Sequence, residues 1–163
     1  MALMLSTPSF AGTVLTVKLW DKGPHSMDML GKGMMGGMGM MGGTGMMGGG
    51  GAGATMGIDV ATHTIPAGEV TFEVTNVSTD MVHEMVISPV KGENQPLPYD
   101  KSAQMVDEDA AGHLGEVAEL EPGQSGALRI TLKPGKYILY CNIPGHYVLG
   151  MWTVIDVGAK SSS

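Results

Sequence analysis

Three residues near the C-terminal end can do chemistry at a spacing that packing alone does not ask for. In YCNIPGHYVLGMW, residues 140–152, the single cysteine Cys141 is followed by His146 and then Met151 at five-residue intervals, with Pro144-Gly145 inside the first gap and Gly150 inside the second. Taken singly, a lone cysteine is often a small buried hydrophobe and a methionine at the start of a strand is often core. Taken together, the glycine-punctuated loop brings a thiol, an imidazole and a thioether back to one point.

That donor set selects a soft metal. Two imidazoles and one thiolate in a trigonal arrangement, with a weak and distant thioether, form the copper site used for electron transfer. Zinc takes Cys and His but has little use for a thioether, and its structural sites are closed by four strong ligands. The loop supplies only one histidine, so a second must come from His25, His63, His83 or His113. His83 is the best placed: MVHEMVIS (81–88) is an apolar strand, on which a histidine is costly to bury without a partner. His63 stands by the turn at Pro66 and reads as a surface residue, and His25 and His113 fall in polar or flexible stretches.

The elements that must hold these residues are β-strands. TVLTVKLW (13–20) is rich in β-branched and aromatic residues and stops at the turn residues Asp21-Lys22-Gly23-Pro24. Beyond the tract that follows come GIDVATHTI, the turn Pro66-Ala67-Gly68, and EVTFEVTNV with Val70, Phe72 and Val74 alternating against polar neighbours. GALRITL, KYILYC and GMWTVIDV add three more strands, with Lys133-Pro134-Gly135 as a turn. Residues 91–122 carry eight of the 16 acidic residues and few β-formers, and read as an excursion with a short helix. Short strands, Pro-Gly turns and no long amphipathic helix predict an all-β Greek-key sandwich or barrel of seven to eight strands.

The other conspicuous stretch is MDMLGKGMMGGMGMMGGTGMMGGGGAGATMG, residues 27–57, with ten Met and fourteen Gly. Glycine's backbone entropy predicts a flexible segment. Soft thioethers favour Cu(I). His25, Met27 and Met29 lie within reach of one ion, and the pairs Met34-Met35, Met40-Met41 and Met46-Met47 are further candidates for secondary Cu(I) binding.

The expected organisation is a signal-peptide remnant over 1–11, an N-terminal strand and turn over 12–26, the Met/Gly-rich flexible segment over 27–56, the β-domain over 57–158 and a disordered tail over 159–163. Ser9-Phe10-Ala11 has the small residues of an export cleavage site, although no basic residue precedes Lys18. The reading is therefore an exported, periplasmic protein. No run approaches the roughly 20 apolar residues of a membrane-spanning helix, so stable membrane insertion is not expected.

Formal net charge is -7, from 9 basic and 16 acidic residues, which argues against nucleic acid and anionic membrane surfaces as partners. One cysteine excludes an internal disulfide and a cysteine-rich zinc site.

With these residues the sequence resembles the cupredoxins, the type 1 blue copper proteins, and Cys-x4-His-x4-Met is most similar to the rusticyanin and auracyanin type. The resemblance runs over about Met56 to Val157, with the C-terminal loop its specific part. It implies a metal set of His83, Cys141, His146 and Met151, one type 1 copper, and one-electron transport. A short polar residue follows the upstream histidine in many members and helps orient the site; Glu84 stands there in this chain.

The resemblance also implies that the loop histidine is the electron gateway, with Pro144, His146, Tyr147 and Leu149 as the docking patch. The expected partner is a redox protein such as a cytochrome or a copper oxidase or reductase, met by a monomer. Multicopper oxidases and copper nitrite reductases need further histidines, including His on both sides of the cysteine, whereas here the flanks are Tyr140 and Asn142. A two-copper centre needs a second cysteine. No enzymatic activity is expected. Met-rich extensions similar to this one occur in periplasmic cupredoxins associated with copper tolerance, which makes copper handling the alternative function.

Overall fold

The computed structural model describes residues 12–28 and 54–159. The signal-peptide remnant expected over residues 1–11, most of the Met/Gly-rich segment (29–53) and the end of the tail (160–163) lie outside the described residues.

Alternation along the sequence becomes two packed sheets. In β1 (Thr13–Asp21), Leu15, Val17 and Leu19 point inward and are buried while the residues between them face outward. β1 pairs antiparallel with β2 (Met56–Val60) and parallel with β4 (Gly68–Asn76), which in turn pairs with β9 (Ser125–Leu132). The first sheet thus has the order β2-β1-β4-β9, and the N-terminal strand is an interior member of it. The cross-strand partner of Trp20 is Gly57, where an added Cβ would lie 2.7 Å from the indole ring, so only glycine leaves room for that ring.

The second sheet has the order β3-β11-β10-β5-β8, with β3 (Thr64–Pro66), β5 (His83–Val90), β8 (Gly115–Leu120), β10 (Gly135–Tyr140) and β11 (Trp152–Gly158). Its inward face, including Met85, Ile87, Tyr137, Leu139 and Ile155, meets Leu15, Leu19, Phe72 and Val74 of the first sheet in one core. Each such large apolar side chain taken out of water contributes roughly 1.5–3 kcal/mol.

The outward face of the second sheet is covered as well. Val86, Val90, Ile138 and Tyr140 pack against Leu97, Val106 and Ala111 of the segment between β5 and β8. That segment contains the two-residue strands β6 (Tyr99–Asp100) and β7 (Met105–Val106) and the short helix α1 (Glu108–Ala111), capped by the Asp107 side chain accepting from Ala110 N. β5 is therefore buried on both faces, with Pro89 alone of its residues exposed.

The all-β sandwich and the short helix agree with the sequence reading. The strand count does not, since eleven strands occur among the described residues rather than seven or eight. Pairings two or three residues long, such as β3, β6 and β7, are too short to impose a period on sequence. β8 was also hidden, because its outward positions in GEVAEL are glutamates and alanine, and only Val117 and Leu120 are buried.

Candidate metal centre

The site forms where β5 and β10 end beside one another. Tyr140 pairs with Val86, so the chain leaves β10 level with the beginning of β5. The pairing of β5 with β8 is irregular between His83 and Met85, where the step from Val117 to Leu120 puts the extra residue in β8 and leaves β5 its own alternation. His83, Met85 and Ile87 share the inward face, which carries the His83 ring to the end of the core where Cys141 emerges.

The loop is held by its own backbone. Cys141 N–H donates to Met151 C=O at 3.0 Å, Met151 N–H to His146 C=O at 3.1 Å, and His146 N–H to Ile143 C=O at 3.0 Å. Gly145 and Gly150 have φ of 87° and 94°, which L side chains rarely adopt, so the two glycines flagged by the spacing are required by the turns. Gly145 N–H also donates to Gln104 C=O at 2.8 Å, tying the loop to the excursion beside it.

Three of the four residues carried over from the resemblance converge. The donor atoms of His83, Cys141 and His146 all lie within 4.8 Å of one another, and all three residues are buried. His83 Nδ1 is 3.2 Å from His146 Nδ1, and Cys141 Sγ is 3.4 Å from His146 Nδ1. Met151 is fully buried in the same core cluster as Cys141 and reverses the chain beside it.

Electrostatics favour neutral imidazoles. Burial lowers the pKa of both rings, for His146 to about 4, where the neighbouring His83 adds to the effect. Burial pushes the Cys141 thiol up to about 12. A thiol and two neutral rings buried together are the donor set that a soft cation completes once it displaces the thiol proton.

Two residues around this group matter beyond their sequence reading. Glu84 faces away from the core and is nearly buried; its N–H donates to Cys141 Sγ at 3.5 Å, and its carboxylate accepts Asn142 N–H at 3.0 Å. Asn142 is buried too: its side chain exchanges hydrogen bonds with Val106 N–H and C=O at 2.6 and 3.0 Å and donates to Glu108 at 2.8 Å. Asn142 escaped the sequence reading because one polar residue after a strand looks like ordinary turn chemistry.

The other histidines stay outside. His25 is exposed and paired with Asp28 at 3.1 Å, His63 donates to or accepts no metal-site atom but has Nδ1 2.9 Å from Val154 C=O, and His113 is exposed. Of the candidate Cu(I) residues, Met27 is half-buried against the core. Met29, Met34, Met35, Met40, Met41, Met46 and Met47 lie outside the described residues. In the docking patch Pro144 is exposed, Tyr147 and Leu149 are half-buried, and Val148 is 47% exposed. His146 is only 3% exposed, covered by this loop rather than standing out from it.

Strand order, the paired sheets and the loop define the cupredoxin β-sandwich, and the His-Cys-His group with Met151 beside it supports one type 1 copper. Among solved structures, rusticyanin from Thiobacillus ferrooxidans aligns over 90% of this chain and 79% of its own at 16% identity with a TM-score of 0.52, which shows the shared fold. Reduced auracyanin from Roseiflexus castenholzii matches at 28% identity over 61% of this chain and 86% of its own, TM-score 0.43. Auracyanin A from Chloroflexus aurantiacus, described as a blue copper protein, matches at 19% identity over 61% and 88%, TM-score 0.45. No protein-family model and no curated protein matches the chain.

Proposed function

We propose that the protein is an exported one-electron carrier whose type 1 copper is held by His83 Nδ1, Cys141 Sγ, His146 Nδ1 and, more weakly, the Met151 thioether. The observation that carries this reading is the convergence of three buried donor atoms within 4.8 Å at the joint ends of β5 and β10. Bound copper would supply the one-electron couple. The chain supplies the rest. Cys141 gives up its thiol proton on binding, the two rings stay neutral, and their burial excludes water.

Ligands on two paired strands and a hydrogen-bonded loop are held against rearrangement when the charge of the centre changes, which suits fast transfer. Pro144, Tyr147, Val148 and Leu149 around His146 form a small apolar patch, of the size that suits a transient encounter. The net charge of -7 favours steering towards a basic redox partner. No catalytic group is assigned, and the protein is taken to act as a monomer in the periplasm.

A second reading, copper handling, is favoured by one specific feature: the eight methionines from Met29 to Met47, a high density of soft donors in a glycine-rich stretch. Titration of the purified protein with Cu(II), and then with Cu(I) under reductant, tests both. Blue colour saturating at one copper per chain with no further Cu(I) uptake supports the carrier. The same colour with additional colourless Cu(I) supports copper handling, and an absence of colour rejects both forms of the type 1 site.

A further inference from the structure

Asp21 is the last residue of β1, on the opposite sheet from His83. It continues the inward register of Leu15, Val17 and Leu19, so its side chain enters the core rather than solvent, and that side chain is fully buried. Its Oδ2 lies 2.9 Å from His83 Nε2. A carboxylate only accepts, so the proton on the His83 ring sits on Nε2, and Nδ1 is left as a lone pair facing His146 Nδ1.

The carboxylate is itself fixed. Its Oδ1 accepts Gly23 N–H at 2.6 Å, and the backbone of Asp21 pairs with Met56. Just beyond, Lys22 N–H donates to Thr55 C=O at 2.8 Å, while Ser26 and Thr55 exchange hydroxyl-to-carbonyl bonds at 3.1 and 2.9 Å. Among the described residues, the ion-pair partner of Asp21 is His83 alone.

We propose that Asp21 is the positioning residue for His83: it locks the ring in the Nε2–H form with Nδ1 aimed at the centre, and its charge sets the balance between Cu(II) and Cu(I). The proposal rests on the type 1 copper reading. A carboxylate behind a ligating histidine raises the basicity of the ring and orients it, and loss of such a partner costs 10–100-fold in metal affinity. Negative charge one ring away favours the more positive oxidation state. The strand that leads into the Met/Gly-rich segment is thereby joined to a copper ligand through one side chain.

Three measurements test this. In the metal-free protein, nitrogen-detected NMR of His83 should show the Nε2–H tautomer alone; mixed tautomers in the wild type would overturn the proposal without reference to copper. Asp21→Asn keeps an acceptor but removes the charge. It should remain folded and blue, with the Cu(II)-to-Cu(I) affinity ratio lowered about tenfold, which is a rise of about 59 mV in potential for a one-electron couple. Asp21→Ala should lose on the order of 10–100-fold in Cu(II) affinity while keeping its colour at saturating metal. A blue wild type in which Asp21→Asn leaves the affinity ratio unchanged overturns this proposal alone. A colourless wild type overturns the copper reading and the redox part of this one with it.

Discussion

The backbone N–H of Glu84 points at the sulfur of Cys141 across 3.5 Å, and the carboxylate of the same residue holds the N–H that follows the cysteine. Glu84 therefore clasps Cys141 from both sides of its peptide, joining the strand of one ligand to the loop of another. A short polar side chain is common at this place in the cupredoxins that the sequence resembles. Glutamate brings a carboxylate into a covered site, and burial drives its pKa up to about 7, with repulsion from Glu108, Glu116 and Glu119 adding to the shift.

The metal-free protein should show the consequence in its stability against pH. For His146 the folded pKa, about 4, is below the ordinary histidine value of 6.5; the unfolded chain binds more protons between those values, and stability rises with pH across that window. For Glu84 the folded pKa, about 7, is above the ordinary 4.5; the folded chain binds more protons, and stability falls as pH rises from 4.5 to 7. The two slopes oppose one another. Glu84→Gln removes the falling one, so denaturant unfolding between pH 4 and 7 should show a steeper gain in the variant, by up to about 3 kcal/mol. Parallel curves for variant and wild type would mean that Glu84 does not titrate in this range.

Copper binding should release protons in a defined number. At pH 8 the imidazoles are neutral and Glu84 is ionised, while the thiol, held up to about 12, keeps its proton until metal arrives. Titration of Cu(II) into weakly buffered protein is expected to release one proton per copper, and the apparent affinity to rise about tenfold per pH unit there. Release of no proton would mean that the sulfur is not a ligand.

Cys141→Ser should abolish the visible copper-thiolate absorption and leave a folded β-sandwich. The hydroxyl sits in a fully buried position, so the variant is expected to lose roughly 1–3 kcal/mol in denaturant unfolding. Retained colour in a correctly folded variant would remove Cys141 from the site.

Asn142→Ala tests the clamp on the excursion. The change strips Val106 N–H and C=O of their partners in a buried place and should cost about 2–4 kcal/mol. Hydrogen exchange should rise first around residues 99–111, with the copper colour retained. Loss of colour at unchanged stability would instead place Asn142 in the site itself.

On the copper-handling reading, deleting residues 34–47 lowers the number of Cu(I) ions bound per chain and leaves the visible band as it was. Equal Cu(I) uptake with and without the tract would reduce it to a connector.

The chain declares its donor atoms more openly than their surroundings. Cys141, His146 and Met151 are legible because they lie within eleven residues, separated by the glycines that their turns require, so local backbone physics is enough to bring them together. His83 is legible because a histidine within an apolar strand has to be partnered. The alternation of β1, β4 and β5 likewise announces sheets buried on their inward faces. Asp21 is different. Its register with Leu15, Val17 and Leu19 was a signal, but a carboxylate beside Lys22, Gly23 and Pro24 is just as well explained by a turn, and its partner is 62 residues away on the other sheet. The same holds for Glu84 with Asn142, 58 residues apart, and Asn142 with Val106, 36 apart. Such contacts arise from strand order and sheet-on-sheet packing, which no local pattern encodes. The sequence alone determined which atoms could bind the metal; tertiary packing decided which buried polar groups stand behind them.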